Sequence, residues 1–315
     1  MHEPRAHRVS VKPRIAVGPE GSNWADEAIR QGGGETVSID DHPDGLIWIQ
    51  FRAAENLKKY LNAHPGIGWV QLPLAGVEDV FAAGVITHDQ QWTSAKGAYA
   101  EPVAEHALLL MLAGLRQLPT RARARSWGKP AGVSLFDEPV TIVGAGGITV
   151  ALLKLLAPFR AHVTVVRPRP VPLEGAELTL GSEHLNGALA SARVVVLAPA
   201  LTTETYHMIG PAELAAMRDD AWLVNVGRGG LVDTNALVDA LRRNSIGGAA
   251  LDVTDPEPLP SVHPLWKQMN CLITPHTADT REMILPLLAK RVTENVRRLA
   301  AGEELLGLVD ADLGY

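Results

Sequence analysis

Hydrophobic positions fall into two series of short runs separated by amphipathic stretches. Over 15–87 the β-type runs "RIAVG", "TVSI", "LIWIQ", "WVQLPL" and "VIT" alternate with the helical patterns "NWADEAIRQ" and "AAENLKKYLNA". Such alternation predicts a parallel sheet with helices on its faces. A second series starts near residue 140, where "VTIVG", "HVTVV", "RVVVLAP", "AWLVNVG" and "GGAALDV" read as strands with helical stretches between most of them. Two series predict an α/β chain with two doubly wound parallel-sheet domains.

A helical pattern over 101–118 joins the series, followed by the basic stretch "RARARSWGKP", expected as a loop or dimerisation arm. The apolar centre of that helix, "ALLLMLAGL", is far shorter than the roughly 20 residues of a membrane span, so it reads as a buried helix. The closing pattern "REMILPLLAKRVTENVRRLAAGE" contains Pro286 and reaches Gly302. It predicts a kink or a late start, then a C-terminal stop.

Composition narrows the class. A chain of 315 residues with 46% hydrophobic and 20% charged positions has the length for two ordinary domains and the balance of a folded globular protein. The formal net charge of -6 excludes a general attraction to nucleic acid or anionic membranes and leaves small molecules as partners. The single cysteine, Cys271, cannot form an internal disulfide, which fits a reducing cytoplasm, and its run "CLIT" predicts a buried thiol. The opening "MHEPRAHRVSVKPR" has charges and two prolines but no apolar centre, so a polar arm is expected rather than a secretory signal.

The strand "VTIV" runs into "GAGGIT", a glycine turn that opens the helical pattern "TVALLKLLAPF". Gly144, Gly146 and Gly147 occupy the positions that permit a tight turn and close backbone approach to a dinucleotide pyrophosphate at a helix N-terminus. Thr149 stands where G-x-G-x-x-G has its third glycine. That glycine serves helix-strand packing, so the replacement is expected to alter packing more than the phosphate site. The next strand ends in "RPRP", placing Arg167 near the position where an NAD site carries an acid, with Arg169 two residues on. A guanidinium can pair with a 2'-phosphate that a carboxylate would repel, so NADP(H) is the expected cofactor, with NAD(H) as the alternative.

Three further motifs follow in order: "VNVGRGGLVDTNALVDAL", "GGAALDVTDPEPLP" and "HPLWKQMNCLITPHTADT". With "EPVAEHALLLMLAGLRQLP" and "ENVRRLAAGE", they give a chain that over nearly its whole length resembles the D-isomer-specific 2-hydroxyacid dehydrogenase family. The resemblance implies a Rossmann nucleotide domain over 106–277, inserted into a flavodoxin-like substrate domain made of 1–105 and 278–315. It implies a homodimer, and a catalytic set of Arg228, Glu257 and His276. Reduction of a 2-oxo acid needs a proton for the carbonyl oxygen, which histidine can supply near neutral pH. It also needs a fixed cation for the carboxylate, which the planar donors of Arg228 provide. Glu257 is expected to orient the histidine ring. Asp252 in "LDV" is expected at the nicotinamide amide or as a loop organiser, and Ile148, Pro199, Thr205 and Val226 complete the implied cofactor contacts.

In the first series, "LPLAGVED" resembles the family's glycine-rich loop, making Ala75 and Gly76 candidates for binding the substrate carboxylate through backbone N–H groups. Leu74 and Glu78 depart from the usual small residue and Asp there. Arg52 sits near the position of a phosphate-binding arginine in phosphoglycerate dehydrogenases. No metal site is expected, since the eleven histidines are scattered without a H-E-x-x-H pair. The expected activity is interconversion of a small 2-oxo acid and its D-2-hydroxy acid. D-3-phosphoglycerate dehydrogenase and a non-catalytic nucleotide sensor are the alternatives.

Overall fold

The computed structural model describes residues 12–51 and 53–314. The chain divides into two compact units, Met1–Tyr99 with Arg281–Tyr315, and Ala100–Thr280.

In the first unit β1 (Arg14–Gly18), β2 (Glu35–Thr36), β3 (Gly45–Trp48), β4 (Trp69–Gln71) and β5 (Gln91–Thr93) pair in parallel in the order β2-β1-β3-β4-β5. This is the flavodoxin-like order. The period of two along each strand sorts neighbours to opposite faces. Ile15, Ile47 and Trp69 join Ile29, Leu288 and Val292 in one core, while Ala16, Leu46 and Val70 join Leu57, Leu61 and Trp92 in the other. The closing helix Arg281–Ala301 packs on the helix Asn23–Gln31. A Cβ on Gly32 would lie 2.5 Å from the Thr293 carbonyl oxygen, so only glycine lets the two approach this closely.

The structure departs from expectation at the run "VIT" and, of the two alternatives at the closing helix, removes the late start. The run "VIT" forms no strand; Val85 and Ile86 are buried, but the edge strand lies farther on at Gln91–Thr93. An apolar run can enter a core without joining a ladder, and periodicity does not separate the two cases. The closing helix has no late start. It begins at Arg281 and carries Pro286 in its second turn, where the missing N–H removes only the bond to the Glu282 carbonyl. It ends before Gly302, whose φ is +66°.

The second unit contains β6 (Pro139–Val143), β7 (His162–Val166), β8 (Leu178–Leu180), β9 (Val194–Leu197), β10 (Trp222–Asn225), β11 (Gly248–Leu251) and β12 (Cys271–Ile273), all parallel, in the order β12-β11-β10-β9-β6-β7-β8. That is the Rossmann order with one strand added. Both faces are covered, which is why its strands read as unbroken apolar runs. Val140, Ile142, Val194 and Val196 pack with helices Ala100–Leu115 and Gly147–Leu156. On the other face Val143, Val195, Leu197 and Leu223 pack with helices Leu185–Ser191, Pro211–Ala216 and Thr234–Arg243.

The helical pattern over 101–118 is interrupted. Helix Ala100–Leu115 stops, Gln117 takes a left-handed conformation with φ 52°, and a short helix follows over Leu118–Arg123, taking in the start of the basic stretch. Because Ala100–Leu115 is one uninterrupted element on the seven-stranded sheet, residues 100–105 belong with the second unit. Cys271 is 1% exposed, and burial pushes its thiol up to about 12. Among the described residues no helix is long and apolar enough to cross a membrane.

Candidate active site

Every cofactor and catalytic candidate in the second unit lies on a segment that leaves the C-terminal end of a parallel strand. Gly144, Gly146, Gly147 and Ile148 follow β6, and Arg167 and Arg169 follow β7. Pro199 and Thr205 follow β9, Val226 and Arg228 follow β10, Asp252 and Glu257 follow β11, and His276 follows β12. Parallel strands bring these ends to one edge of the sheet, where open α/β folds bind ligands.

Gly144 has φ +101°, and a Cβ there would lie 2.8 Å from the Ala198 carbonyl carbon and the Pro199 nitrogen. Glycine is therefore required for the turn. Gly146 is the N-cap of helix Gly147–Leu156, has open space where a Cβ would be, and offers no side-chain cap. This uncapped first turn fits the pyrophosphate of a dinucleotide, whose oxygens can take the waiting N–H groups. Thr149 is fully buried, and its hydroxyl donates to the Gly144 carbonyl oxygen at 2.9 Å. The residue in the third-glycine position thus braces the turn from inside.

Arg167 is half-buried, with its backbone N–H bonded to Leu180 O at 3.0 Å, and Arg169 is exposed. Ile148 and Val226 contribute to the apolar core beside helix Gly147–Leu156. The Thr205 hydroxyl donates to Ala200 O at 2.7 Å and accepts from the Thr202 N–H at 2.8 Å, so it fastens its own turn.

His276 and Glu257 meet: Nδ1 and Oε1 are 2.7 Å apart, and both side chains are about one-third exposed. The ring is carried on a residue with φ 50°, a left-handed conformation that is uncommon for non-glycine residues. Asp252 organises this loop. Its carboxylate accepts from the Thr274 hydroxyl at 2.6 Å, Thr277 N–H at 2.9 Å and Ala278 N–H at 3.1 Å, while its carbonyl accepts from His276 N–H at 2.8 Å. Burial alone would raise the Asp252 pKa, but the bonds from His106, Thr274, Thr277 and Ala278 outweigh it and hold the carboxyl at about 2.

Arg228 leads into the short turn Gly229–Leu231, and its Nη1 donates to Gly227 O at 2.9 Å. A Cβ on Gly229 would lie 2.0 Å from the Thr254 carbonyl, so the Arg228 and Glu257 loops touch through bare backbone. Asp279, three residues beyond His276, carries no sequence signal of its own. Its carboxyl is pushed above the ordinary value by burial and the charge of Asp252, against the opposing pull of His276 and Arg228.

In the first unit, the loop after β4 is held by three successive carbonyls. Leu72 O accepts from Gln71 Nε2 at 2.9 Å, Pro73 O from the Tyr99 hydroxyl at 2.6 Å, and Leu74 O from Ala95 N–H at 2.8 Å. Ala75 and Gly76 follow, and among the described residues neither N–H has a backbone acceptor. Arg52 lies outside the described residues.

An open parallel sheet in Rossmann order, a glycine turn at an uncapped helix and a paired histidine and glutamate on neighbouring loops define a dinucleotide-dependent α/β enzyme. Residues 106–278 match the profile of the D-isomer specific 2-hydroxyacid dehydrogenase, NAD binding domain. The chain belongs to the D-isomer specific 2-hydroxyacid dehydrogenase family, whose members are nicotinamide-dependent oxidoreductases. It is 39% identical over 294 residues, 91% of this chain and 95% of the relative, to an uncharacterized protein in the proB 3' region of Corynebacterium melassecola. It is 31% identical over 271 residues, 83% of this chain and 77% of the relative, to glyoxylate reductase of Thermofilum pendens. Among solved structures, a D-isomer specific 2-hydroxyacid dehydrogenase from Xanthobacter autotrophicus Py2, in complex with NADPH and MES, superposes with a TM-score of 0.80 at 28% identity, covering 96% of this chain and 100% of that one.

Proposed function

We propose that this protein reduces a small 2-oxo acid of the glyoxylate or hydroxypyruvate type to its D-2-hydroxy acid, with NADPH preferred over NADH. The observation that carries the reading is the 2.7 Å contact between His276 Nδ1 and Glu257 Oε1. It commits one ring nitrogen to the carboxylate and leaves Nε2 to exchange a proton with the substrate oxygen. Arg228 fixes the substrate carboxylate and polarises the carbonyl. Ala75 and Gly76 are the first unit's candidates to bind a substrate carboxylate through backbone N–H groups. When bound, the nicotinamide nucleotide supplies the hydride.

Gly144, Gly146, Gly147 and Ile148 hold the pyrophosphate, with Pro199, Thr205, Val226 and Asp252 lining the rest of the nucleotide site. Arg167 and Arg169 take the 2'-phosphate; their place just beyond the C-terminal end of β7 supports this assignment. The unit Ala100–Thr280 serves as the nucleotide domain and the unit Met1–Tyr99 with Arg281–Tyr315 as the substrate domain, a division a few residues from the expected 106–277. The exposed apolar side chains Leu109, Leu118, Trp127 and Phe136 support a homodimer, and the buried lone thiol fits a cytoplasmic setting.

The test is oxidation of NADPH, and separately NADH, with glyoxylate, hydroxypyruvate, pyruvate and 3-phosphohydroxypyruvate. The expected result is turnover of a small unphosphorylated acid with NADPH, and Arg167→Ala should lower kcat/KM for NADPH roughly 10- to 100-fold while leaving NADH nearly unchanged. An NADH preference overturns the cofactor assignment, and preferred turnover of the phosphorylated acid overturns the substrate assignment.

A further inference from the structure

His106 projects from helix Ala100–Leu115, whose other inward-facing side chains include Val103, Ala104, Ala107, Leu110 and Met111. Its own side chain is only 12% exposed. A buried imidazole must find partners for its polar atoms. Nε2 lies 3.0 Å from Thr274 Oγ1 and 3.3 Å from Asp252 Oδ1.

The direction of these contacts follows from counting protons. The Thr274 hydroxyl has one proton, committed to Asp252 Oδ1 at 2.6 Å, and an ionised Asp252 has none to give. His106 Nε2 therefore carries the proton and donates to the free lone pair of Thr274, leaning toward Asp252 as well. The same Asp252 carboxylate gathers the N–H groups of Thr277 and Ala278, the two residues after His276. His276 N–H is in turn bonded to Asp252 O and Thr274 O, at 2.8 and 3.0 Å. One rigid helix thus anchors both sides of the loop that holds His276 at φ 50°.

We propose that His106 is a positioning residue for His276: through Thr274 and Asp252 it fixes the loop that aims the proton-transferring imidazole. The proposal rests on the assignment of proton transfer to His276. A small misplacement of a reacting group is costly, because catalysis depends on its orientation.

The experiment compares the full-length wild type with His106→Leu, His106→Gln and Thr274→Val. Its readouts are kcat, KM for the 2-oxo acid and NADPH, Tm, and the imidazole nitrogen resonances of His276, assigned by their loss in His276→Gln. His106→Leu and Thr274→Val should lower kcat roughly 10- to 100-fold with KM for NADPH unchanged, and should displace the His276 resonances. Glutamine keeps a donor near the Nε2 position, so His106→Gln should recover much of kcat and return the resonances toward wild type. Unmoved His276 resonances in both His106→Leu and Thr274→Val overturn the proposal. So does a His106→Gln variant as impaired as His106→Leu at equal Tm. Should His106→Leu fail to fold, the near-isosteric Thr274→Val carries the test. If the wild type turns over no 2-oxo acid, the functional reading fails, while the resonances still report whether His106 positions His276.

Discussion

Each unit places a buried polar network under a loop at the C-terminal edge of its sheet, and the two networks are built from different chemistry. In the first unit the network is neutral. Trp69 Nε1 donates to Thr93 Oγ1, which donates to Gln71 Oε1; Asn295 Nδ2 donates to Gln71 Oε1 and to Leu306 O, and Gln71 Nε2 donates to Leu72 O. In the second unit the network centres on a carboxylate, Asp252, fed by Thr274, Thr277, Ala278 and His106. A network of amides and hydroxyls fixes backbone shape with no dependence on protonation. A network around an ionised group also places a fixed negative charge beside the His276 loop and ties local stability to pH. The loop presenting Ala75 and Gly76 asks only for shape, whereas the loop presenting His276 carries both shape and charge.

The largest break in that contrast should come from Asp252→Asn. Removing the charge weakens the bonds from all four donors, Thr274, Thr277, Ala278 and His106, and loosens the His276 loop, so kcat should fall about 100-fold or more. The stability effect has a definite sign. The folded carboxyl sits at about 2 against an ordinary 3.8, so its contribution, roughly 2 kcal/mol, is present above pH 4 and is lost as pH falls toward 2. Denaturant unfolding of wild type and Asp252→Asn at pH 7 and pH 3 should show a gap that shrinks with acid. A gap independent of pH would mean that the carboxylate acts only through its shape.

Asn295→Leu is the matching cut in the neutral network. Asn295 is fully buried, and leucine would strand Leu306 N–H and O as well as Gln71. The expected loss is about 2–3 kcal/mol, with the same value at pH 5 and pH 8. KM for the 2-oxo acid should rise more than KM for NADPH, since the disturbance reaches the loop after β4 and leaves the glycine turn alone. A pH-dependent loss would show that the network is coupled to a titrating group.

The contrast also separates what a sequence displays from what it conceals. The doubly wound sheets are visible because both-face burial writes unbroken apolar runs such as "RVVVLAP", and the glycine turn is visible because Gly144 has no alternative at φ +101°. Glu257 and His276 are found through short motifs with distinctive neighbours. The supporting partners are harder to read. His106 stands in an apolar helix, and its partner Thr274 is 168 residues away, with nothing local linking them. Gln71 is hidden inside "WVQLPL", where a polar residue within an apolar run signals burial with a partner but does not name it. The edge strand Gln91–Thr93 is missed because three residues show too little periodicity, while "VIT" is apolar for reasons of packing alone.

The smallest expected effect tests the charged network at its margin. Asp279 sits on the same loop as His276, but its pKa moves the opposite way from that of Asp252: burial and the neighbouring Asp252 charge raise it, and His276 and Arg228 recover only part of the cost. A carboxyl raised in the fold contributes fully below its ordinary pKa and loses that contribution as pH rises through the folded value. At neutral pH Asp279 therefore costs stability, which a neutral asparagine of the same size avoids. Asp279→Asn should raise Tm by about 1–2 °C at pH 7, with the gain vanishing near pH 4, as followed by thermal unfolding across that range. A variant less stable than wild type at pH 7 would show that Asp279, like Asp252, is held in place by its charge, and would extend the ionised network from one carboxylate to two.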